Sequence, residues 1–353
     1  MTAQLVARFP NGMLSLAYLL HIERILGSYG AAGLVLAAAS IGQAIAGPLT
    51  SRWMGVWSMR KVLTLTVIVC AGSVTAIALA PDLPLPLYMI LGFVGGISTP
   101  PIQPAVRTIY PTMVNSRQLT PLFSLDASAQ ELIWVLGPVI TTLIATQVST
   151  VAALLTALVF LIGGGIWFIA SPEVGRVRIP RSKRNLGAVL TKPPVLLATI
   201  TGFLLIGACA AIEAGVVASF GHGDPEAGLV LAIFAIGSLI GGLALGHRPI
   251  GPWALARRMM AVFVGMALAA ALTNFWWLAI TLLIAGIGIA PALAVMFAIV
   301  SSSVRFSETA EAYGWVGTGQ LIGAALGSAL AGVLIDHFNA PGAFYVAAGL
   351  ALL

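Results

Sequence analysis

Twelve apolar stretches, most of them about 20 residues long, divide this chain, and 17 of its 28 charged side chains lie in the joints. They cover 5–27, 30–51, 61–80, 85–106, 121–146, 150–170, 194–220, 226–246, 257–273, 276–301, 310–335 and 342–353. Lipid offers the backbone no hydrogen-bond partner, so such a run must satisfy its own amides by coiling into a helix. The chain has 353 residues, of which 59% are hydrophobic and 8% charged. A soluble domain carries about 25% charged residues. Lipid must therefore be the solvent for most of this surface. The first and fifth stretches are the least apolar. The twelfth, 342–353, is short for a span, and an incomplete last helix is expected.

The stretches are duplicated. Residues 32–47, AGLVLAAASIGQAIAG, return 195 positions later as 227–242, AGLVLAIFAIGSLIGG. A second correspondence has an offset of 190: Gly96, Pro101, Gln130 and Gly137 fall on Gly286, Pro291, Gln320 and Gly327. The expected organisation is a bundle at 1–171, a basic linker at 172–193, and a second bundle at 194–353. Two parallel repeats in a membrane suit a ligand site between bundles that rock against each other. Small residues spaced by four, as in Gly319, Gly323, Gly327 and Ala331, predict close helix packing. Pro101 and Pro291 predict a bend shared by both repeats.

Net charge is +6, and its placement argues for topology rather than nucleic-acid binding. With a cytoplasmic N-terminus, all but Arg24 of the 17 basic residues fall on the cytoplasmic side. Asp82, Asp224, Glu226 and Asp336 then fall on external turns. Cys70 and Cys209 lie in apolar stretches, with no metal or redox spacing between them. The first stretch has no cleavage site and is expected to be retained. No phosphate loop, nucleotide motif, nucleophile triad or metal cluster is visible, which excludes ATP-driven pumping by this chain alone and gives no handle to an enzyme.

The two six-stretch repeats, the basic central loop and the cytoplasmic ends resemble the major facilitator superfamily over the whole chain. The family's loop pattern G-x-x-x-D-R/K-x-G-R-R corresponds to Ser51–Lys61, where Gly55 replaces the acid and Arg60 and Lys61 keep the basic end. Of the family's fifth-helix signature, Gly137-Pro138 remains. The resemblance implies an all-α polytopic protein of two pseudo-symmetric six-helix bundles, with twelve transmembrane helices and a short last one. It also implies a central cavity lined by the first, fourth, seventh and tenth helices.

An ionisable group at mid-span costs at least about 2.5–3.5 kcal/mol unless paired or wet, so each calls for a reason. Glu23, Asp126, Glu131, Glu213 and Glu311 lie in or at the edge of apolar stretches. Glu131 and Glu213 are the proton-coupling candidates, since a carboxyl in low dielectric exchanges protons near neutral pH. The alternative for Glu131 is a structural ion pair with a basic residue such as Arg107. Asp126, with Arg52 or Arg60, is the gate candidate, replacing the acid lost at Gly55. His21 is expected to be a hydrogen-bonded residue near a helix end. Tyr18, Gln43, Gln103, Gln130, Trp134, Trp315 and Gln320 are candidates for lining a substrate cavity. For Gln130 and Gln320 hydrogen bonding between helices is the favoured alternative.

These features predict a secondary transporter working by alternating access, with proton-coupled efflux of an apolar or amphipathic compound favoured. An importer of a neutral metabolite and a non-transporting scaffold or relic are the alternatives. The expected partners are a small-molecule substrate, the bilayer and protons, with no cofactor, metal or nucleic acid, and a monomer suffices.

Overall fold

The computed structural model describes residues 2–80, 83–182, 184–220, 225–245, 251 and 253–353. Asp82, Lys183, Asp224 and Arg248, which the sequence places in loops, lie outside the described residues.

All regular structure among the described residues is helical. The first stretch is α1 (Thr2–Arg8) and α2 (Pro10–Leu26), with Pro10 at the first turn of α2. Next come α3 (Tyr29–Val56) and α4 (Met59–Leu79). The fourth stretch forms α5 (Leu85–Ile97) and α6 (Ile102–Met113), and α7 (Ser116–Gln147) follows. The sixth runs through α8 (Thr150–Val159), a π-helical turn at Phe160–Gly164 and α9 (Gly165–Ala170). Short α10 (Pro172–Arg176) opens the linker. The second repeat holds α11 (Pro193–Phe220), α12 (Pro225–Leu245), α13 (Ala254–Ala269), α14 (Phe275–Ser303), α15 (Phe306–Phe338) and α16 (Ala340–Leu352). Helices thus cover all twelve predicted stretches. Among the described residues, nine spans are long and apolar enough to cross a bilayer, counting α5 with α6 and α8 with α9. The α1–α2 pair, the 16-residue α13 and the 13-residue α16 fall short.

Packing divides the chain into two units. One holds Met1–Met113, Leu132–Val189 and Val304–Thr318; the other holds Val114–Glu131, Leu190–Ser303 and Gly319–Leu353. The boundary therefore passes through the middle of α7 and α15 as well as near the linker. The reason is visible inside each unit. In the first, α15 begins against α3: Thr318 Oγ1 donates to Ala44 O (2.6 Å), and Gly314 lies against the Gly47 backbone. In the second, α7 begins against α12: Ser124 Oγ donates to Gly242 O (2.6 Å), with Ser128 against Gly242. Gly47 and Gly242 are related by the offset of 195, while Ser124 and Ser128 map onto Gly314 and Thr318 by the offset of 190. The repeat is thus preserved as paired contacts.

The same holds for the helix crossings. A methyl group on Gly42 would sit 2.5 Å from Phe93 O of α5, and one on Gly237 would sit 2.5 Å from Leu283 O of α14. Gly96 abuts Ala39 O, as its counterpart Gly286 abuts Phe234 O. Gly12 of α2 and Gly137 of α7 touch backbone to backbone, as do Gly207 of α11 and Gly327 of α15. The stripe Gly319, Gly323 and Gly327 lies on the carbonyls of Thr199, Phe203 and Gly207, again spaced by four. Dispersion between close backbones, rather than a hydrophobic force, holds such crossings in lipid.

The shared proline bend differs between repeats. Tandem Pro100-Pro101 removes two amide donors, and the helix is interrupted between Ile97 and Ile102. Single Pro291 lies inside α14, which continues through it. There the buried Arg258 donates to Pro291 O (2.6 Å).

Candidate functional site

Three polar centres stand out, one in the second unit and two in the first. In the second unit, Glu131 lies on α7 and Glu213 on α11. Cys209 stands one turn before Glu213 on α11. Glu213 is exposed and Glu131 half-buried, so neither is sealed in a packed interior. Among the described residues neither makes an ion pair or a hydrogen bond. The alternative of a structural lock between Glu131 and an arginine therefore lacks its ion pair. The offset of 195 places Tyr18 of α2 where Glu213 stands on α11, and Leu14 where Cys209 stands.

In the first unit, Tyr18 and Gln43 line a cavity of about 50 Å³ together with Asn11, Ser15, Ser40 and Thr99. Room for a water needs about 10–15 Å³ on the same measure, so the space suits a few waters or a small polar group. Cys70 forms part of the wall. The lining named here is polar and uncharged. Gly95 and Gly96 of α5 also border it.

At one end of the first unit lies an ionic cluster. Arg52, in the last turns of α3, donates from Nη1 to Glu311 Oε2 of α15 (3.3 Å) and from Nη2 to Arg184 O of the linker. The Gly187 amide donates to Glu311 Oε1 (2.8 Å). Gly187 has φ +84°, a left-handed conformation that glycine adopts without strain. Arg184 Nε lies 3.6 Å from Glu308 Oε1. Glu308 and Glu311 are both buried, so the linker amide and the two guanidinium groups supply what water would otherwise give them.

The remaining candidates are placed as follows. Arg60 is exposed and donates to Ser171 O (3.4 Å). Asp126 is fully buried in the second unit and is not without a partner. Arg52 meets Glu311, an acid to which the sequence assigned no gate role. Gln103 and Gln130 both have partners. Trp134 is 48% exposed on α7. Trp315 Nε1 and Gln320 Nε2 are buried donors with no partner among the described residues. His21 is structural: Nδ1 pairs with Thr150 Oγ1 (3.0 Å) and Nε2 with Ile77 O (3.1 Å). Sequence reasoning passed over Ser124 and Ser128, although the offset of 190 aligns them with Gly314 and Thr318. Among the described residues no group of three or more His, Cys, Asp or Glu side chains is arranged to hold a metal ion.

A family model described as Major Facilitator Superfamily matches residues 1–259 and 209–353. A search of curated proteins finds no match. Solved structures share the fold at low identity. The human organic anion transporter MFSD10 (TETRAN) superposes with a TM-score of 0.76 at 16% identity, covering 99% of this chain and 96% of that one. A bacterial homologue of the iron transporter ferroportin, in an outward-facing state, gives 0.79 at 14% identity, covering 99% and 95%. The E. coli fucose:proton symporter FucP gives 0.77 at 13% identity, with the same coverage.

Proposed function

This chain belongs to the Major Facilitator Superfamily, and from that premise we propose that it exchanges protons for an apolar or amphipathic compound by alternating access, exporting the compound. It is a multi-pass membrane protein and a secondary transporter of a small molecule, not an enzyme. The finer reading rests on one observation: Glu131 and Glu213 both lie in long apolar helices of the second unit and, among the described residues, have no cationic partner. Two ionised carboxylates left so within a span are costly. A proton is the smallest ligand that relieves the cost. Each carboxyl is then neutral for one part of the cycle and open to solvent for another.

The cluster of Arg52, Glu311 and Gly187 supplies the gate, with the linker as its third member. Asp126 and Arg60 remain gate candidates in this reading, which sets the N-terminus in the cytoplasm of a bacterial-type cell membrane. Buried donors at Trp315 and Gln320, which have no partner among the described residues, support a role in holding substrate. A second reading has its own support. The uncharged lining around Tyr18 and Gln43, where Asn11, Ser15, Ser40 and Thr99 stand beside apolar Leu14, Leu36 and Leu161, offers hydrogen bonds to a hydroxyl group of a neutral metabolite, carried inward.

The test is flux in proteoliposomes with an imposed pH gradient. Efflux predicts that an amphipathic dye accumulates against its gradient only when the proton gradient opposes its movement, and that a protonophore stops it. Accumulation that ignores the pH gradient would overturn proton coupling. Uptake of neutral polyols without movement of any amphipathic dye would select the second reading.

A further inference from the structure

The polar segment between α9 and α11 is laid along the ends of α3 and α4 instead of hanging free. Val174, Ile179 and Val189 are buried and anchor it. Pro180 O and Ile179 lie against Gly55, and Gly175 lies beside the Arg60 guanidinium. Arg52 holds the segment further on through Arg184 O.

With Val174, Ile179 and Val189 turned inward, this strap presents Arg176, Arg178 and Arg181 outward, all exposed. Arg60 and Lys61 at the start of α4 are exposed as well. Among the described residues none of these five forms a salt bridge. Beside them, the last turns of α3 expose Trp53 and Trp57, whose rings stack at 5.4 Å. Exposed indoles at the end of a membrane span belong to the headgroup zone of a bilayer. Clustered cations at the same level draw anionic lipid.

We propose that this face of the first unit is a docking surface for anionic phospholipid headgroups, with Arg176, Arg178, Arg181, Arg60 and Lys61 as the cationic contacts and Trp53 and Trp57 set at the acyl boundary. An acidic soluble protein or a nucleic acid would use the cations but would have no use for two stacked indoles at the end of an apolar span. The strap places its charges by apolar anchors, so the cationic face is organised before lipid arrives. The proposal rests on the multi-pass reading and not on proton coupling, so loss of one leaves the other standing.

The experiment uses the full chain in nanodiscs of phosphatidylcholine containing a minor fraction of phosphatidylglycerol, one or the other brominated to quench tryptophan. Brominated phosphatidylglycerol should quench more than its share of the mixture, and added salt should erase the excess. The variant R176Q/R178Q/R181Q should weaken that preference about tenfold or more. Its melting in detergent should stay at the wild-type value, because the three side chains are exposed. The W53F/W57F double variant should lose the excess quenching. Equal quenching by the two lipids, a preference that survives the triple variant, or one that survives loss of both indoles would each overturn the proposal. So would tighter retention of an acidic protein or nucleic acid than of phosphatidylglycerol by the same cations.

Discussion

Glu131 and Glu213 are chemically alike but differently set. Glu131 is half-buried on α7, while Glu213 is exposed on α11. Replacing Glu131 by Gln leaves the shape and removes the exchangeable proton. Proton-driven accumulation should fall to background, while substrate-for-substrate counterflow is retained within about twofold. Both are measured in the same proteoliposomes. Unchanged pH-driven transport would move the coupling role to Glu213 alone. Arg52 and Glu311 make a different case, because their pair is buried on one side and tied to the linker through Gly187. Glu311→Ala strands a buried guanidinium and an amide together, a loss of about 3–5 kcal/mol where burial is complete and less here, since Arg52 is 24% exposed. Lower melting in detergent and faster alkylation of a cysteine placed at Ser51, which is buried beside Arg52, are the expected readouts. An Arg52→Lys change keeps the charge but loses the two-pronged contact, so it should give an intermediate result.

At the scale of the element, small residues decide how near two helices come. Gly42 and Gly237 occupy equivalent crossings, and a methyl group at either would press on a backbone carbonyl at 2.5 Å. Gly42→Leu and Gly237→Leu should each cost at least about 1–3 kcal/mol from overpacking, with similar losses because the contacts are copies. Thermal melting and folded yield measure this. Gly33→Leu is the control, since nothing lies within 4 Å of a methyl group there. It should melt within about 0.5 kcal/mol of wild type. A large effect at Gly33 with none at Gly42 would refute the crossing as drawn. The proline bends make the same distinction in reverse: equivalent sequence positions do not secure equivalent backbones. Tandem prolines interrupt the helix at Pro101, whereas α14 absorbs its single Pro291.

At the scale of the whole molecule, the expected topology is open to test. If the N-terminus is cytoplasmic, cysteines introduced at Arg178 and Asn115 should react with an impermeant maleimide only after the cells are opened. One at Ser28 should react in intact cells. The reverse pattern would invert the direction assigned to transport. Orientation of this kind follows from charge distribution near the spans, which acts during insertion and needs no tertiary contact.

Helix placement was legible in the sequence for the same reason. A backbone in lipid has to satisfy itself locally, so hydropathy alone marks where each helix runs. The duplication was legible too, down to Gly42 with Gly237 and Gly137 with Gly327, because close backbone crossings tolerate little besides glycine. Partner choice was not legible. Arg52 and Glu311 are 259 residues apart, and nothing in either neighbourhood singles out the other. The rotation of α15 about its axis and its seat against α3 decide that pair. The linker reads as a polar tether, yet three buried apolar residues make it a strap. Glu131 and Glu213 read as acids of opposite repeats, and the packing of the start of α7 against α12 is what puts both in the second unit. Sequence by itself determined what each segment must be, because that depends on its own solvent. Tertiary structure alone decided which side chains meet, because that depends on the register and rotation of helices distant in the chain.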